Sequence, residues 1–299
     1  MNKKTFLTMK KETCLKIKIA MRFLSLLMLL TALGLGACKQ APKGVKEALA
    51  LQFDSLQLNR TEHLFGDTAK PACNLVLNLS FASEAKEQKL RDSLNNYFMA
   101  FSLGDEFAAL QPQEAIEAFA KSYAHKYRKD LEPMYIKEME ELADGQTMGA
   151  WYSYYKKIES RITRCEGILL TYRSYYEEYT GGAHGMYATS FLNLDLRTLA
   201  PVTLDDLFIG DYTEELTDLL WAQLMKDNEV STREELFDLG FASTGELTPT
   251  ENFYIDNQGI TFFYNVYDIA PYVMGPVTIS LKRDDVAHLI GDASLWGGN

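Results

Sequence analysis

Residues 172–208 read YRSYYEEYTGGAHGMYATSFLNLDLRTLAPVTLDDLF, and the fold is decided at their centre. Gly181-Gly182-Ala183-His184-Gly185 places three glycines in five residues between two aromatic-rich apolar runs. Glycine reaches positive φ without steric cost, so this segment predicts a tight connection between two strands. On its far side Met186, Ala188, Leu192, Leu194 and Leu196 share one parity, with Asn193, Asp195 and Arg197 on the other. That alternation predicts a half-buried strand. Thr203 followed three residues later by Asp206 then predicts a capped helix start.

Working back from the glycines, Ile168–Tyr179 predicts the preceding strand and Glu166-Gly167 a turn. Before them, Tyr152, Tyr154, Ile158 and Ile162 stay in phase along a strand from Trp151 to Ile162. Three consecutive strands form a meander, which makes an antiparallel sheet the natural core. Further back, Leu75, Leu77, Leu79 and Phe81 alternate as a strand. Ser83 is placed to cap a helix whose apolar face is Leu90, Leu94, Tyr97, Phe98 and Phe101. A second helix begins near Gln113, with Ile116, Phe119, Tyr123 and Tyr127 inward. Pro133 is expected to break or kink it before Gly145 ends the segment. Residues 39–60 are polar and weakly patterned and predict a tether.

Forward of Thr203, a helix is expected from Asp211 to Lys226 with Asp211 and Glu214 as a capping box, then a short helix at 231–239 and a loop at 242–249. Strands at 252–256 and 260–266 form a hairpin. The loop 270–276, with Pro271 and Tyr272, leads to a last strand at 277–281 and a closing helix at 284–289. The expected class is α+β: an antiparallel sheet meander with helices packed on one face, in two tightly associated halves. The halves divide as residues 61–165 and 166–291.

The amino terminus predicts export. Residues 23–36, FLSLLMLLTALGLG, are uncharged, apolar and too short for a comfortable membrane span, and they follow Arg22 and several lysines. Leu35-Gly36-Ala37-Cys38 resembles the lipobox of bacterial lipoproteins, so residues 1–37 read as a signal peptide and Cys38 as the lipid-bearing residue. Met21-Arg22 would be a normal beginning for such a signal. Of 30 basic and 41 acidic residues, seven basic and one acidic precede Cys38, leaving 23 against 40 and a net charge of −17. Such a polyanion disfavours nucleic acid and anionic lipid and suits a cationic partner, although solubility alone accounts for much of it. Cys73 and Cys165 remain in the mature chain, and both a bridge and two free thiols fit an oxidising envelope.

Candidate chemistry is sparse. His184, flanked by glycines, is a potential general base or metal ligand, but His63, His125 and His288 lie at no ligand spacing from it. The favoured role is a hydrogen bond to backbone that fixes the turn. Glu177-Glu178, Asp195 and Asp205-Asp206 supply carboxylates, yet adjacent acids on a strand point to opposite faces and cannot act as a pair. Nucleophile elbows, phosphate loops and zinc-protease helices are absent from the sequence. No metal or cofactor is expected. Tyrosines are abundant around the strands and give large contact area with a polar tip. Tyr179, Tyr187 and Tyr272 flank the two glycine-containing loops and are expected to be exposed.

Tyr179-Thr-Gly-Gly-Ala-His-Gly185, Asn193-Leu-Asp-Leu196 and Leu204-Asp-Asp-Leu-Phe208 resemble the RsiV-like extracytoplasmic domain family. Phe253-Tyr-Ile-Asp-Asn-Gln-Gly-Ile260 and Tyr267-Asp-Ile-Ala-Pro-Tyr272 with Gly275 match the family's closing hairpin and loop, so the resemblance covers about residues 60–290. The family takes its name from a lysozyme-sensing anti-sigma factor, and the module recurs in peptidoglycan deacetylases and envelope lipoproteins. The resemblance implies a lysozyme-like cationic protein or a peptidoglycan-related ligand. The expected ligand-binding residues are Tyr179, Gly181, Gly182, His184, Gly185 and Tyr187 on one loop, with Pro271 and Tyr272 on the other. The expected protein is a cell-envelope lipoprotein facing the periplasm or cell exterior, acting as a non-catalytic binding module. The alternative is a cell-wall glycan-modifying enzyme or its accessory. A sigma-binding segment ahead of a true membrane span is missing, so an anti-sigma role is not expected.

Overall fold

A computed structural model describes residues 45–143 and 147–296. The signal segment, Cys38 and Gly145 lie outside the described residues. After a short helix α1 (Val45–Ala48), strand β1 (Gln52–His63) and strand β2 (Ala72–Glu84) form an antiparallel hairpin. Helices α2 (Gln88–Leu103) and α3 (Pro112–Glu141) cross over, and β3 (Tyr154–Glu166) returns parallel to β2. Strands β4 (Leu169–Tyr179), β5 (Met186–Asp195) and β6 (Ala200–Pro201) complete a six-stranded sheet in sequential, antiparallel order. Three helices follow: α4 (Leu204–Leu207), α5 (Thr213–Asp227) and α6 (Arg233–Asp238). They lead to a second antiparallel sheet of β7 (Phe253–Ile255), β8 (Gly259–Tyr264) and β9 (Val277–Lys282). The class is therefore α+β, with mostly antiparallel pairing.

Each sheet carries its helices on one face. Leu90, Leu94, Phe98 and Met99 of α2, with Ala115, Ile116 and Ala120 of α3, pack on Leu75, Leu77, Leu79, Ile158 and Leu194. The fully buried Tyr172 stacks on Phe98 at a centroid separation of 4.3 Å. The amide of Asn95 fixes α2 to β2, accepting from Ala82 N at 2.7 Å and donating to Ala82 O at 3.0 Å. In the second core Leu216, Leu220, Trp221 and Leu236 cover Phe253, Ile255, Ile260 and Phe262.

The small sheet is joined to β5 by side chains. Asn252 accepts from Phe191 N at 2.9 Å and donates to Thr189 O at 2.9 Å and Phe263 O at 3.0 Å. Asn265 accepts from Thr189 N at 2.7 Å and donates to Thr189 O at 3.0 Å. Asn193 donates to Phe253 O at 2.8 Å. The Asn252 and Asn265 amides occupy backbone groups along β5 that would otherwise form an open edge, while Asn193 reaches from β5 to the backbone of β7. The carboxy-terminal end of β5 is covered on both faces, with Asn193 and Asp195 buried as well as Leu194, while Met186 at its start is exposed. The expectation of a half-buried strand is corrected accordingly.

Other expectations are corrected too. Residues 52–60 are not a tether but most of β1, an edge strand on which Leu58 is buried while outward positions stay polar. Ser83 lies inside β2, and Glu87 holds the N-cap of α2. Pro133 does not end the second helix: α3 runs 30 residues through it. Pro133 sits on the solvent side, where water can serve the released carbonyl, between the buried anchors Leu131 and Tyr135. Asp211 and Glu214 form no capping box, since Tyr212 is the N-cap of α5. The box at Thr203 does form, with Asp206 Oδ2 accepting from Thr203 N at 2.8 Å. The segment after Asp284 closes as a 3-10 turn, Ala287–Leu289. Cys73 and Cys165 are free thiols, not a disulfide. Among the described residues, no helix is long and apolar enough to cross a membrane.

Candidate functional site

The glycine connection and the Pro-Tyr loop meet at one end of the large sheet. Gly181 and Gly182 adopt φ of +85° and +105°, and a Cβ on Gly181 would lie 3.1 Å from Trp151 Cβ. Backbone of this shape carries the chain from β4 to β5 while leaving His184 at the surface. Tyr179 donates to Gly182 O at 3.1 Å and braces the turn. His184 Nδ1 lies 2.8 Å from Gly185 O, so in the neutral ring Nδ1 bears the proton and Nε2 is an acceptor. The Tyr267 hydroxyl, 3.3 Å away, then donates to Nε2.

Tyr272 comes from the opposite loop. Its ring stacks on His184 at 4.1 Å and 27°, meets Tyr187 edge-on at 5.6 Å, and lies 5.7 Å from Tyr267. Four rings, three from the two loop segments and Tyr187 from the start of β5, thus make one cluster. Burial, helped by Tyr187, Tyr267 and Glu177, raises the Tyr272 phenol above its ordinary pKa. Next to the cluster, Tyr175 donates to Glu177 Oε2 at 3.2 Å, and burial followed by the Glu177 charge pushes its phenol up to about 12. A phenol held neutral in this way remains a hydrogen-bond donor throughout the physiological range.

Of the predicted residues, Tyr179, Gly181, Gly182, His184, Gly185 and Tyr187 lie on or beside the first loop, and Pro271 and Tyr272 on the second. The structure brings His184 and Tyr187 each into contact with Tyr272. Pro271 and the glycines shape backbone. Tyr179, Tyr187 and Tyr272 are half-buried, contrary to expectation; Tyr267 at 44% and Tyr176 at 39% are the exposed tyrosines. Three neighbours were not in the predicted set: Glu177, Trp151 and Tyr267. Tyr267 adopts φ +68°, a strained conformation for a bulky side chain, in a turn held by Asn265 N donating to Asp268 Oδ2 at 2.8 Å. The Asn265-Val-Tyr-Asp268 spacing, with an acid three residues after an amide, was the available signal for that turn.

The acids considered for catalysis have structural partners instead. Glu177 and Glu178 face opposite sides of β4. Asp195 is gripped by Arg197 Nη2 at 2.7 Å, and Asp205 accepts from the Tyr212 hydroxyl at 2.6 Å. Among the described residues no three His, Cys, Asp or Glu side chains converge as a metal-holding group. What the cluster can do chemically is offer flat aromatic area, hydroxyl donors and one carboxylate.

A mostly antiparallel α+β fold with two loops joined through aromatic rings defines the class, and comparison with known proteins defines the family. A family model described as a protein of unknown function, DUF3298, matches residues 205–284, a span holding the Pro-Tyr loop but not the glycine loop. The crystal structure of a DUF3298 family member from Bacteroides fragilis NCTC 9343 is 52% identical, with a TM-score of 0.79 over 82% of this chain and 95% of that one. The chain belongs to the DUF3298 family. A DUF3298 family protein from Pseudomonas aeruginosa PAO1 shares the fold, with 16% identity and a TM-score of 0.56 over 83% of this chain and 98% of that one. The peptidoglycan-N-acetylmuramic acid deacetylase PdaC of Bacillus subtilis strain 168 is 27% identical over 108 residues, or 36% of this chain. The chain spans only 23% of that relative's length.

Proposed function

We propose that the protein is a non-catalytic binding module of the bacterial cell envelope, anchored through lipid on Cys38. Its partner is a lysozyme-like cationic protein or a peptidoglycan-related ligand. The observation that carries this reading is the cluster of His184, Tyr187, Tyr267 and Tyr272, drawn from two loops and the start of β5 and set beside Glu177. Rigid aromatic rings with polar tips lose little entropy on contact, and a carboxylate at their margin receives a Lys or Arg of a partner. The net charge of −17 after residue 37 adds long-range attraction for a cationic protein. The similarity to part of a peptidoglycan deacetylase, and the resemblance of the loop motifs to the RsiV-like family, support a cell-wall setting.

The test is retention of hen lysozyme, and separately of purified peptidoglycan, by the immobilised chain from residue 39 onward. Binding to either that weakens at least about tenfold in Tyr272→Ala is expected. Equal retention by wild type and Tyr272→Ala would overturn the assignment to this surface. A second reading, a glycan-modifying enzyme or its accessory, rests on the deacetylase similarity. Release of acetate or reducing ends from peptidoglycan, abolished by His184→Ala or Asp195→Ala, would favour it instead.

A further inference from the structure

Toward α2 and α3, the middle of the large sheet is apolar except for one row. Ser160, Ser174 and Ser190 occupy directly paired positions on β3, β4 and β5. Their side chains are too short to reach the helices, and a cavity of about 360 Å³ opens there. Ser160 is engaged, its Oγ taking the Tyr172 hydroxyl at 2.6 Å and Ser80 N at 3.0 Å. The hydroxyls of Ser174 and Ser190 border the cavity and have no hydrogen-bond partner among the described residues, although Ser174 is buried. Both hydroxyls are open to water in the cleft, where a ligand's hydroxyl groups can take the water's place.

The walls are aromatic. Phe101 and Phe119 descend from the helices, and the partly exposed Tyr176 stands at the mouth. One end is closed by an ion pair, Lys156 Nζ to Glu178 Oε1 at 3.1 Å, with the Tyr123 hydroxyl donating to the same carboxylate at 3.1 Å. Lys156 Nζ also lies 5.5 Å from the ring centres of Tyr123 and Tyr176. Its charge is therefore compensated within the protein, and the cleft offers no net charge to a ligand. An anionic ligand would have to separate Lys156 from Glu178, at a desolvation cost. A purely apolar one would leave the serines unpaired.

We propose that this cleft binds a neutral saccharide of one or two rings, whose C–H face lies on the aromatic walls and whose hydroxyls pair with Ser174 and Ser190. The volume is at the small end of those seen for small-molecule sites, which selects a short sugar over a polymer running through. Ser174 and Tyr176 lie on the opposite face of β4 from Tyr175 and Glu177, so this site is separate from the aromatic cluster and does not rest on its reading.

The experiment is saturation-transfer NMR and calorimetry of the full mature chain with glucose, N-acetylglucosamine and N,N′-diacetylchitobiose, and with glucuronate as the anionic comparison. Saturable millimolar binding of at least one neutral sugar is expected. It should weaken about tenfold in Tyr176→Ala and in Ser174→Ala/Ser190→Ala, and be unchanged in Asn257→Ala, at an exposed position outside both sites. Tyr176 is exposed enough for its variant to fold, which keeps the test valid if the serine pair proves necessary for stability. Failure of every neutral sugar to bind, equal binding by both cleft variants, or tighter binding of glucuronate than of glucose would overturn the proposal.

Discussion

Replacing Asn252 with alanine tests how the two loops come to share a surface. The Asn252 amide makes three hydrogen bonds, to Phe191 N and Thr189 O of β5 and to Phe263 O of β8, at 2.9, 2.9 and 3.0 Å. At about 1 kcal/mol net each, their loss costs ~3 kcal/mol. Thr189 O keeps a second donor, Asn265 Nδ2 at 3.0 Å, which lowers the expected cost to about 2–3 kcal/mol. For a domain of this size that corresponds to a drop of roughly 4–12 °C in melting temperature. Asn257→Ala, at an exposed position in the same hairpin, is the control and should stay within about 0.5 kcal/mol of wild type. Thermal and urea unfolding followed by circular dichroism give both values. If Asn252→Ala melted with its control, side-chain amides would not be what couples the small sheet to β5.

Gly181→Ala should destabilise by about 1–2 kcal/mol in the same melts, because it combines positive φ with close approach to Trp151; a neutral result would remove the geometric argument for that glycine. Burial, then the Glu62 charge, pushes the Cys73 thiol up to about 11. In the chain from residue 39 onward carrying Cys165→Ser, which leaves Cys73 as its one thiol, iodoacetamide at pH 8 should modify Cys73 about 100-fold more slowly than an unfolded control, and comparable rates would refute the burial. Arg197, followed by Ser294, holds the Asp292 carboxyl down at about 2. A depressed folded pKa adds stability that is present above the ordinary carboxylate range and lost as pH falls from about 4 toward 2. Because Asp292 is 38% exposed, the effect should be about 1 kcal/mol or less, and Asp292→Asn should flatten that part of the pH–stability curve.

Much of the fold could be read from local chemistry. Gly167 and the pair Gly181-Gly182 punctuate alternating runs, so the β3–β4–β5 meander was legible, as was the apolar face of α2 through Leu90, Leu94 and Phe98. Local pattern does not report partners distant in sequence. Strand β1 lies at an edge where polar side chains suffice, and its register with β2 shifts at Gln52/Phe53, so its alternation is faint. The parallel pairing of β2 with β3 depends on both intervening helices lying on one face of the sheet. Pro133 argues against a helix only where its released carbonyl is buried, and burial is a tertiary property.

The candidate site was legible to the same extent. Both loops declared themselves through glycine, but Tyr267 enters through a strained turn and Glu177 through the pairing of β4 with Tyr187. The amides that bring the loops together, Asn252 and Asn265, look in sequence like ordinary turn residues. Their role appears only once β5 is known to present an open edge.

The most direct test of whether the joined loops present a recognition surface is calorimetric titration of the chain from residue 39 onward with hen lysozyme at two salt concentrations. Parallel titrations would use Tyr272→Ala and Glu177→Gln. Binding should weaken with salt, fall at least about tenfold in Tyr272→Ala and lose part of its salt dependence in Glu177→Gln. Binding that is indifferent to both substitutions, or no binding by wild type at low salt, would contradict that reading.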